Sequence, residues 1–251
     1  MKKRLEYIRE QITAEKKVTV SELSKTYKVT EETIRRDLEK LEAEGFLTRT
    51  FGGAVLNNSA STNEHIHFYK RITINQKEKE TIALLFKDIL CEKRTIAADA
   101  STTVMEAIHF LKGKRDITVL SSSTEIFREM TGSDIHIIST GGVFNEGCLS
   151  LQGNLAKENI RRYHVDLALL SCKGLDMERG IMDSSEREAD VKSEMVKQAM
   201  EVALLADHTK FGKTAFVKFL NWEPVTYLVT DEKPSDEWIA FCEKKGVQLI
   251  Y

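Results

Sequence analysis

The sequence predicts an α/β protein built as an N-terminal winged helix-turn-helix followed by a larger, Rossmann-like α/β domain. Three observations carry that reading. Amphipathic segments with helical spacing fill the first 57 residues and run into two short strand patterns around Phe51-Gly52-Gly53. A run of small polar residues, Asn57-Asn58-Ser59-Ala60-Ser61-Thr62-Asn63, then interrupts all apolar periodicity. Beyond it, short continuous apolar runs alternate with amphipathic segments, as in a parallel sheet covered on both faces. The expected division is 1–57 for the head, with a helix-turn-helix core at 20–39, 58–75 for a linker, and 76–251 for the second domain.

Of the 251 residues, 41% are hydrophobic and only 2 are proline. That is enough apolar side chain for real cores, and a poor fit to disordered, collagen-like or disulfide-scaffold classes. Cys91, Cys148, Cys172 and Cys242 are scattered, form no C-x-x-C pair, and read as buried reduced thiols. No stretch approaches the roughly 20 apolar residues that cross a bilayer, so a soluble, cytoplasmic protein without a membrane partner is expected. The net charge of −2 gives no sign of a polyanion partner until it is divided. Residues 1–57 hold twelve basic against ten acidic side chains, leaving −4 for the remainder.

Taken in order, Leu5, Ile8 and Ile12 mark one face of a first helix. Val18-Thr19-Val20 suits a brief strand, and Ser21 is placed to cap a second helix carrying Leu23 and Tyr27. Lys28-Val29-Thr30 is the turn, and Thr30 caps a third helix whose inner face is Ile34, Leu38 and Leu41 and which ends near Gly45. With Ile34 at the centre of the buried stripe, steps of about 100° place Glu32, Arg35, Arg36 and Glu39 on the outer face. Arginine there reaches phosphates or binds guanine bidentately in a major groove. The competing reading is a solvated face with both arginines paired to Glu31, Glu32 or Glu39. The segment that follows favours the first: Leu47-Thr48-Arg49-Thr50 and Ala54-Val55-Leu56 flank Phe51-Gly52-Gly53 as a hairpin, which turns the motif into a winged helix. Arg49 and Phe51 are then placed to touch the DNA backbone or the neighbouring minor groove.

Thr33-Ile34-Arg35-Arg36-Asp37-Leu38, Leu41-Glu42, Gly45 and Phe51-Gly52-Gly53-Ala54 closely resemble the amino-terminal signature of the DeoR/GlpR family of bacterial transcriptional repressors. Phe51 departs from it, standing where the family usually has histidine. The candidate DNA-binding residues are Thr30, Glu32, Thr33, Arg35, Arg36, Arg49, Gly52 and Gly53.

In the second domain a helix is expected over 76–90. Strands are expected at Thr95-Ile96-Ala97-Ala98, Ile117-Thr118-Val119-Leu120, 135–138, 165–170, 202–205, 227–229 and 247–250, with helices after Asp99 and over 124–130. Ligands of such sheets bind beyond the carboxyl ends of the strands. The residues there are Asp99-Ala100-Ser101-Thr102-Thr103, Ser121-Ser122-Ser123, Ser139-Thr140-Gly141-Gly142, Ser171-Cys172-Lys173-Gly174 and Asp207-His208-Thr209-Lys210. Hydroxyls and free amides favour an anion, Lys173 and Lys210 supply positive charge, and Asp99 and Asp207 accept from sugar hydroxyls. Any one of these serines and threonines is more often only a helix cap. Together they describe a site for an anionic, hydroxyl-rich small molecule.

This half also resembles the DeoR family, in its effector-sensing domain, similar in fold to ribose-5-phosphate isomerase and CoA-transferase domains. The pattern is carried by Asp99-Ala100-Ser101-Thr102-Thr103, Gly141-Gly142, Gly153, Asp166, Lys173-Gly174 and the run from Leu205 to Gly212. Ser101, where many members have glycine, and Ser121-Ser122-Ser123, where Thr-Asn-Ser is common, depart from it. The resemblance implies an effector-sensing and oligomerisation domain over 76–251. It implies a homo-oligomer, dimer or tetramer, that binds double-stranded operator DNA as repressor of a carbohydrate-utilisation operon and is relieved by a phosphorylated sugar. Effector-binding candidates are Asp99, Ser101, Thr102, Thr103, Ser121, Ser122, Ser123, Gly141, Gly142, Lys173, Asp207 and Lys210.

The alternative is a sugar-phosphate isomerase with an appended DNA-binding head, drawing acids and bases from Glu186, Glu188, Asp207, His208 and Lys210. No dense isomerase signature accompanies them, and Ser185-Glu186-Arg187-Glu188-Ala189-Asp190 reads as a helix opening with acids near its amino end. A non-specific nucleic-acid chaperone is a third class. No enzyme activity, catalytic residue, metal or cofactor is assigned. His65-Ile66-His67 reads as linker or first strand, because no cysteine accompanies it at zinc-site spacing.

Overall fold

A computed structural model describes residues 2–43, 47–56 and 68–251. Gly45, the polar run 57–63 and His65-Ile66-His67 lie outside these residues. The chain divides into two compact units, Met1–Ile74 and Asn75–Tyr251.

The first unit runs α1 (Lys2–Glu15), β1 (Lys17–Thr19), α2 (Val20–Tyr27), α3 (Glu31–Ala43), β2 (Leu47–Thr50), β3 (Gly53–Leu56) and α4 (Phe68–Thr73). The apolar stripes read from spacing meet in one core of Ile8, Ile12, Val18, Val20, Leu23, Ile34, Leu38, Leu41, Leu47 and Ala54, with Leu5 and Tyr27 at its margin. A half-buried ion pair, Arg4 Nε to Asp37 Oδ2 at 2.6 Å, ties α1 to α3.

Two local assignments change. α2 is capped by Thr19 rather than Ser21, because β1 stops one residue early and Val20 is already helical. Thr19 Oγ1 accepts from Glu22 N at 3.2 Å and donates to the Glu22 carboxylate at 2.7 Å. Residues 58–75, expected as a linker, include helix α4, whose Phe68 is fully buried. The turn before α3 is as expected: Lys28 takes the left-handed conformation at φ 52°, and Thr30 Oγ1 accepts from Thr33 N at 3.3 Å.

The wing is a three-stranded sheet ordered β1-β3-β2. Thr50 pairs with Gly53, so the turn proper is Phe51-Gly52 and Gly53 already belongs to β3. The two glycines serve different ends. Gly52 has φ +85°, the left-handed value that favours glycine, with open space around it. Gly53 sits against β1, where an added Cβ would lie 2.1 Å from Val18 O.

The second unit continues α5 (Gln76–Glu92), β4 (Thr95–Ala98), α6 (Thr102–Ile108), β5 (Thr118–Ser121), α7 (Thr124–Glu129), β6 (His136–Ser139), β7 (Val143–Asn145), β8 (Ser150–Gln152), α8 (Asn154–Ile160), β9 (Val165–Ser171), β10 (Gly174–Asp176) and β11 (Gly180–Asp183). It closes with α9 (Glu186–Lys197), β12 (Ala199–Leu205), β13 (Val217–Leu220), β14 (Tyr227–Val229), α10 (Asp236–Lys245) and β15 (Gln248–Ile250). Its centre is a seven-stranded sheet ordered β15-β14-β12-β9-β4-β5-β6. Every pairing in it is parallel. The sheet consists of the seven strands expected from apolar runs. The hairpin β7–β8 and the antiparallel sheet β10-β11-β13 were not anticipated.

Cys148, Cys172 and Cys242 are buried and Cys91 is half-buried, none of them in a disulfide. Burial pushes the Cys172 thiol up to about 12 and that of Cys242 up to about 11, so neither is a nucleophile near neutral pH. Among the described residues, no helix is long and apolar enough to cross a membrane.

Candidate functional site

On α3 the outer face is the one expected from helical projection, with Glu31, Glu32, Arg35, Arg36, Glu39 and Lys40 exposed. Arg35 Nη2 donates to Glu31 Oε2 at 2.8 Å. Arg36 Nε lies 3.3 Å from Glu32 Oε1. Arg49, on the wing, reaches Glu39 Oε1 at 2.7 Å, and its backbone N–H donates to Glu42 at 2.8 Å, so the wing is braced against the helix. The two readings of this face therefore describe one geometry: the arginines are paired to their own helix and remain open to solvent. Exposed pairs of this spacing contribute only about 0.3–0.5 kcal/mol. A bidentate arginine–guanine contact contributes about 1–3 kcal/mol of discrimination and can displace them. The Thr30 and Thr33 hydroxyls are joined at 2.9 Å at the amino end of α3, and Phe51 stands fully exposed at the wing tip.

In the second unit, the five polar loops follow β12, β9, β4, β5 and β6, adjacent strands of one parallel sheet, so all emerge at its carboxyl edge. Several of the hydroxyls are engaged within the fold. Ser101 caps α6 by accepting from Val104 N at 3.2 Å, and Ser123 caps α7 by accepting from Ile126 N at 3.3 Å. Ser121 donates to Ala98 O at 2.8 Å and accepts from Ser123 N at 3.0 Å, while Thr102 and Thr103 open α6 in buried positions. Gly142, at φ +112°, faces Gln152 O at a distance that excludes a side chain. Asp207 and Lys210 pair with each other at 3.1 Å. The charge of Lys173 acts on Asp183.

The cleft at this edge is lined by Asp99, Ala100 and Ser122 from the loops after β4 and β5, by Ser150, Leu151 and Gln152 of β8, and by Glu188, Val191 and Lys192 of α9. Asp99 and Ser122 are the expected residues it brings together. Lys192 is its organising group. The buried ammonium donates to Ser171 O at 2.8 Å and Asp183 Oδ2 at 2.6 Å, and lies 3.1 Å from Asp99 Oδ2. Asp99 in turn accepts from the backbone N–H groups of Ser101 at 2.8 Å and Ser171 at 3.0 Å. Burial pushes the Lys192 ammonium down, but Asp183, Asp99 and Glu188 outweigh it and hold the group above its usual range. Burial likewise raises the Asp183 carboxyl, yet Lys192 and Lys173 bring it below the usual carboxylate range. Lys192, Asp183 and Glu188 are absent from the expected effector residues. A signal for Lys192 exists: it stands three residues after Ala189 and three before Met195, on the inner side of an amphipathic helix where lysine is out of place.

A family model described as the DeoR-like helix-turn-helix domain matches residues 4–60, and one described as the DeoR C terminal sensor domain matches residues 74–232. The chain belongs to the DeoR family. Among its curated relatives, the uncharacterized HTH-type transcriptional regulator YulB of Bacillus subtilis is 37% identical over 92% of this chain and 89% of its own. The HTH-type transcriptional repressor GlcR of Bacillus subtilis is 31% identical over 93% of this chain and 90% of its own. The L-fucose operon activator of Haemophilus influenzae is 30% identical over the whole of both chains. The winged head of this DeoR-family regulator is thus a DNA-binding domain, and its α/β unit a sensor.

The acids and bases an isomerase would draw on have these places in this DeoR-family chain. Glu188 lines the cleft and Glu186 is exposed. Asp207 and Lys210 pair with each other, and His208 Nδ1 lies 2.7 Å from Asp231 Oδ2.

Proposed function

We propose that this regulator binds a double-stranded operator through α3 and the wing, as repressor of a carbohydrate-utilisation operon, and that a phosphorylated sugar at the carboxyl edge of the seven-stranded sheet relieves it. The observation that carries the effector assignment is the cleft there, where Asp99, Ser122, Ser150, Gln152 and Glu188 surround a buried lysine and Ala100, Leu151 and Val191 complete the lining. Names of relatives support the pathway class, among them the L-fucose operon activator and a putative aga operon repressor. Thr30, Glu32, Thr33, Arg35, Arg36, Arg49, Gly52 and Gly53 form the DNA-facing set. Asp99, Ser122 and Lys173 stand around the ligand, with Ser101, Thr102, Thr103, Ser121, Ser123, Gly141 and Gly142 shaping the loops and Asp207 with Lys210 at the rim. The protein acts in the cytoplasm, without turnover of its ligand, as a homo-oligomer. One head reads only a few base pairs, so useful affinity needs two or more heads on repeated half-sites.

A panel of sugar phosphates in a thermal-shift assay tests the effector; at least one raises the unfolding temperature, and a panel that raises none removes the assignment. For the head, Arg35→Ala and Arg36→Ala each lower operator affinity at least about tenfold. Each shifts stability by no more than about 0.5 kcal/mol, because only exposed pairs are lost. Unchanged operator affinity in both variants refutes the DNA-facing assignment.

A further inference from the structure

The effector cleft holds a carboxylate that acts on Lys192 through its charge but receives no hydrogen bond from a described residue. Glu188 is only 8% exposed and lines the cleft beside Lys192. Its side chain makes no hydrogen bond or ion pair with another described residue; only its backbone N–H is engaged, by the cap Ser185. The neighbouring ammonium is turned elsewhere: Lys192 donates to Ser171 O and to Asp183 Oδ2 and lies 3.1 Å from Asp99 Oδ2. Ser150 Oγ, in the opposite wall, accepts from Gln152 Nε2 at 2.8 Å and keeps its O–H as a donor.

A buried carboxylate without donors is destabilising, so whatever enters beside Glu188 binds well if it brings O–H groups and poorly if it brings an anion. The local charge argues the same way. Asp99, Asp183 and Glu188 outnumber the ammonium groups of Lys192 and Lys173, so a phosphate pushed to this end would face more like than opposite charge. We propose that Glu188 is an effector-binding residue that accepts hydrogen bonds from sugar hydroxyls, and that the ligand enters with its polyol end inward and its phosphate outward. The inference rests on the reading that this cleft is the effector site. It adds which end of the ligand the cleft holds, and by which residue.

The test uses the full chain, by calorimetric titration and thermal shift, with pentose and hexose monophosphates, the same sugars without phosphate, and inorganic phosphate. For the monophosphate that binds wild type, Glu188→Gln and Glu188→Ala lose about tenfold or more in affinity, while any shift from inorganic phosphate and the operator affinity of the ligand-free protein stay as in wild type. Monodeoxy analogues on the wild-type protein give a parallel readout that needs no variant: removing at least one hydroxyl remote from the phosphate weakens binding as much. Wild-type affinity in both variants, equal binding of every deoxy analogue, or loss of inorganic phosphate binding along with the sugar overturns the proposal. If no monophosphate binds but a free sugar does, dependent on Glu188, the sugar-phosphate reading fails and the role of Glu188 stands. If neither class binds, both fall.

Discussion

Single residues divide into those whose role follows from type and spacing and those that need the fold. Arg35 and Arg36 are legible from helical projection, because an arginine a quarter to half a turn from a buried isoleucine faces out whatever surrounds it. Ser101 and Ser123 were readable as ligands or as caps, and both cap short helices. Lys192 is not legible as an organising group, since its partners, Asp99 after β4 and Asp183 at the end of β11, lie 93 and 9 residues away in the chain. Its weight is measurable. Lys192→Met leaves two buried carboxylates without their cation and costs about 3–5 kcal/mol, read as a lower urea midpoint. Asp183→Asn costs less, because Asp99 still pairs with the lysine, and its deficit depends on pH. The Asp183 carboxyl is held below its unfolded value, so its stabilisation is fully present above about pH 4 and disappears as pH falls through the folded value. Urea midpoints of wild type and Asp183→Asn therefore lie apart at neutral pH and converge below about pH 4. A deficit that is constant down to pH about 3 would show that the pair carries no net electrostatic stabilisation.

At the scale of elements, length and burial decide what can be read. The third helix is legible at its start because Thr30 and the acids after it make a cap, whereas at α2 Thr19 and Ser21 both offer a capping hydroxyl and the spacing of Thr19 to Glu22 decides for Thr19. Strands β7, β8, β10 and β11 span three or four residues each, and β7 is largely exposed, so no apolar period marks them. The wing is the instructive case. Two adjacent glycines announced a turn, but not that only Gly52 needs it while Gly53 needs room. Gly52→Ala meets no neighbour and costs about 1 kcal/mol, the usual penalty of a side chain at positive φ. Gly53→Ala drives a Cβ onto Val18 O, a backbone atom that cannot rotate away, and so has to separate β3 from β1. Thermal unfolding shows the larger loss for Gly53→Ala, and operator affinity falls with it because Arg49 moves with the wing; equal losses for the two variants would mean that the close approach to β1 is not what fixes the wing.

For the whole molecule, the identities of the seven central strands were legible and their order was not. Apolar runs report burial on both faces, whereas the placement of β9 between β4 and β12 is set by which helices cover which face, and no local pattern encodes that. The same holds for communication between a DNA-reading head and a sensing unit, which is a property of two states rather than of any segment. If the effector relieves repression, it binds more tightly to the form with weak operator affinity, and the shift equals its differential affinity for the two forms. A coupling of about 1–3 kcal/mol corresponds to a drop of about 5–150-fold in operator affinity when effector is saturating. Linkage then demands reciprocity: operator DNA must weaken effector binding by the same factor. Titrating effector with and without saturating operator, and operator with and without saturating effector, closes this cycle at fixed salt, which must be held because phosphate contacts make affinity steeply salt-dependent. Equal factors on the two arms establish a coupled regulator. A drop in operator affinity that keeps growing as effector rises, instead of levelling off at the coupling factor, would point to direct competition for charge on the head, where Arg35, Arg36 and Arg49 are held only by exposed ion pairs. Arg35→Ala separates the two, since it lowers operator affinity while leaving the ratio between effector-bound and effector-free forms unchanged only when the effector acts from the sensor.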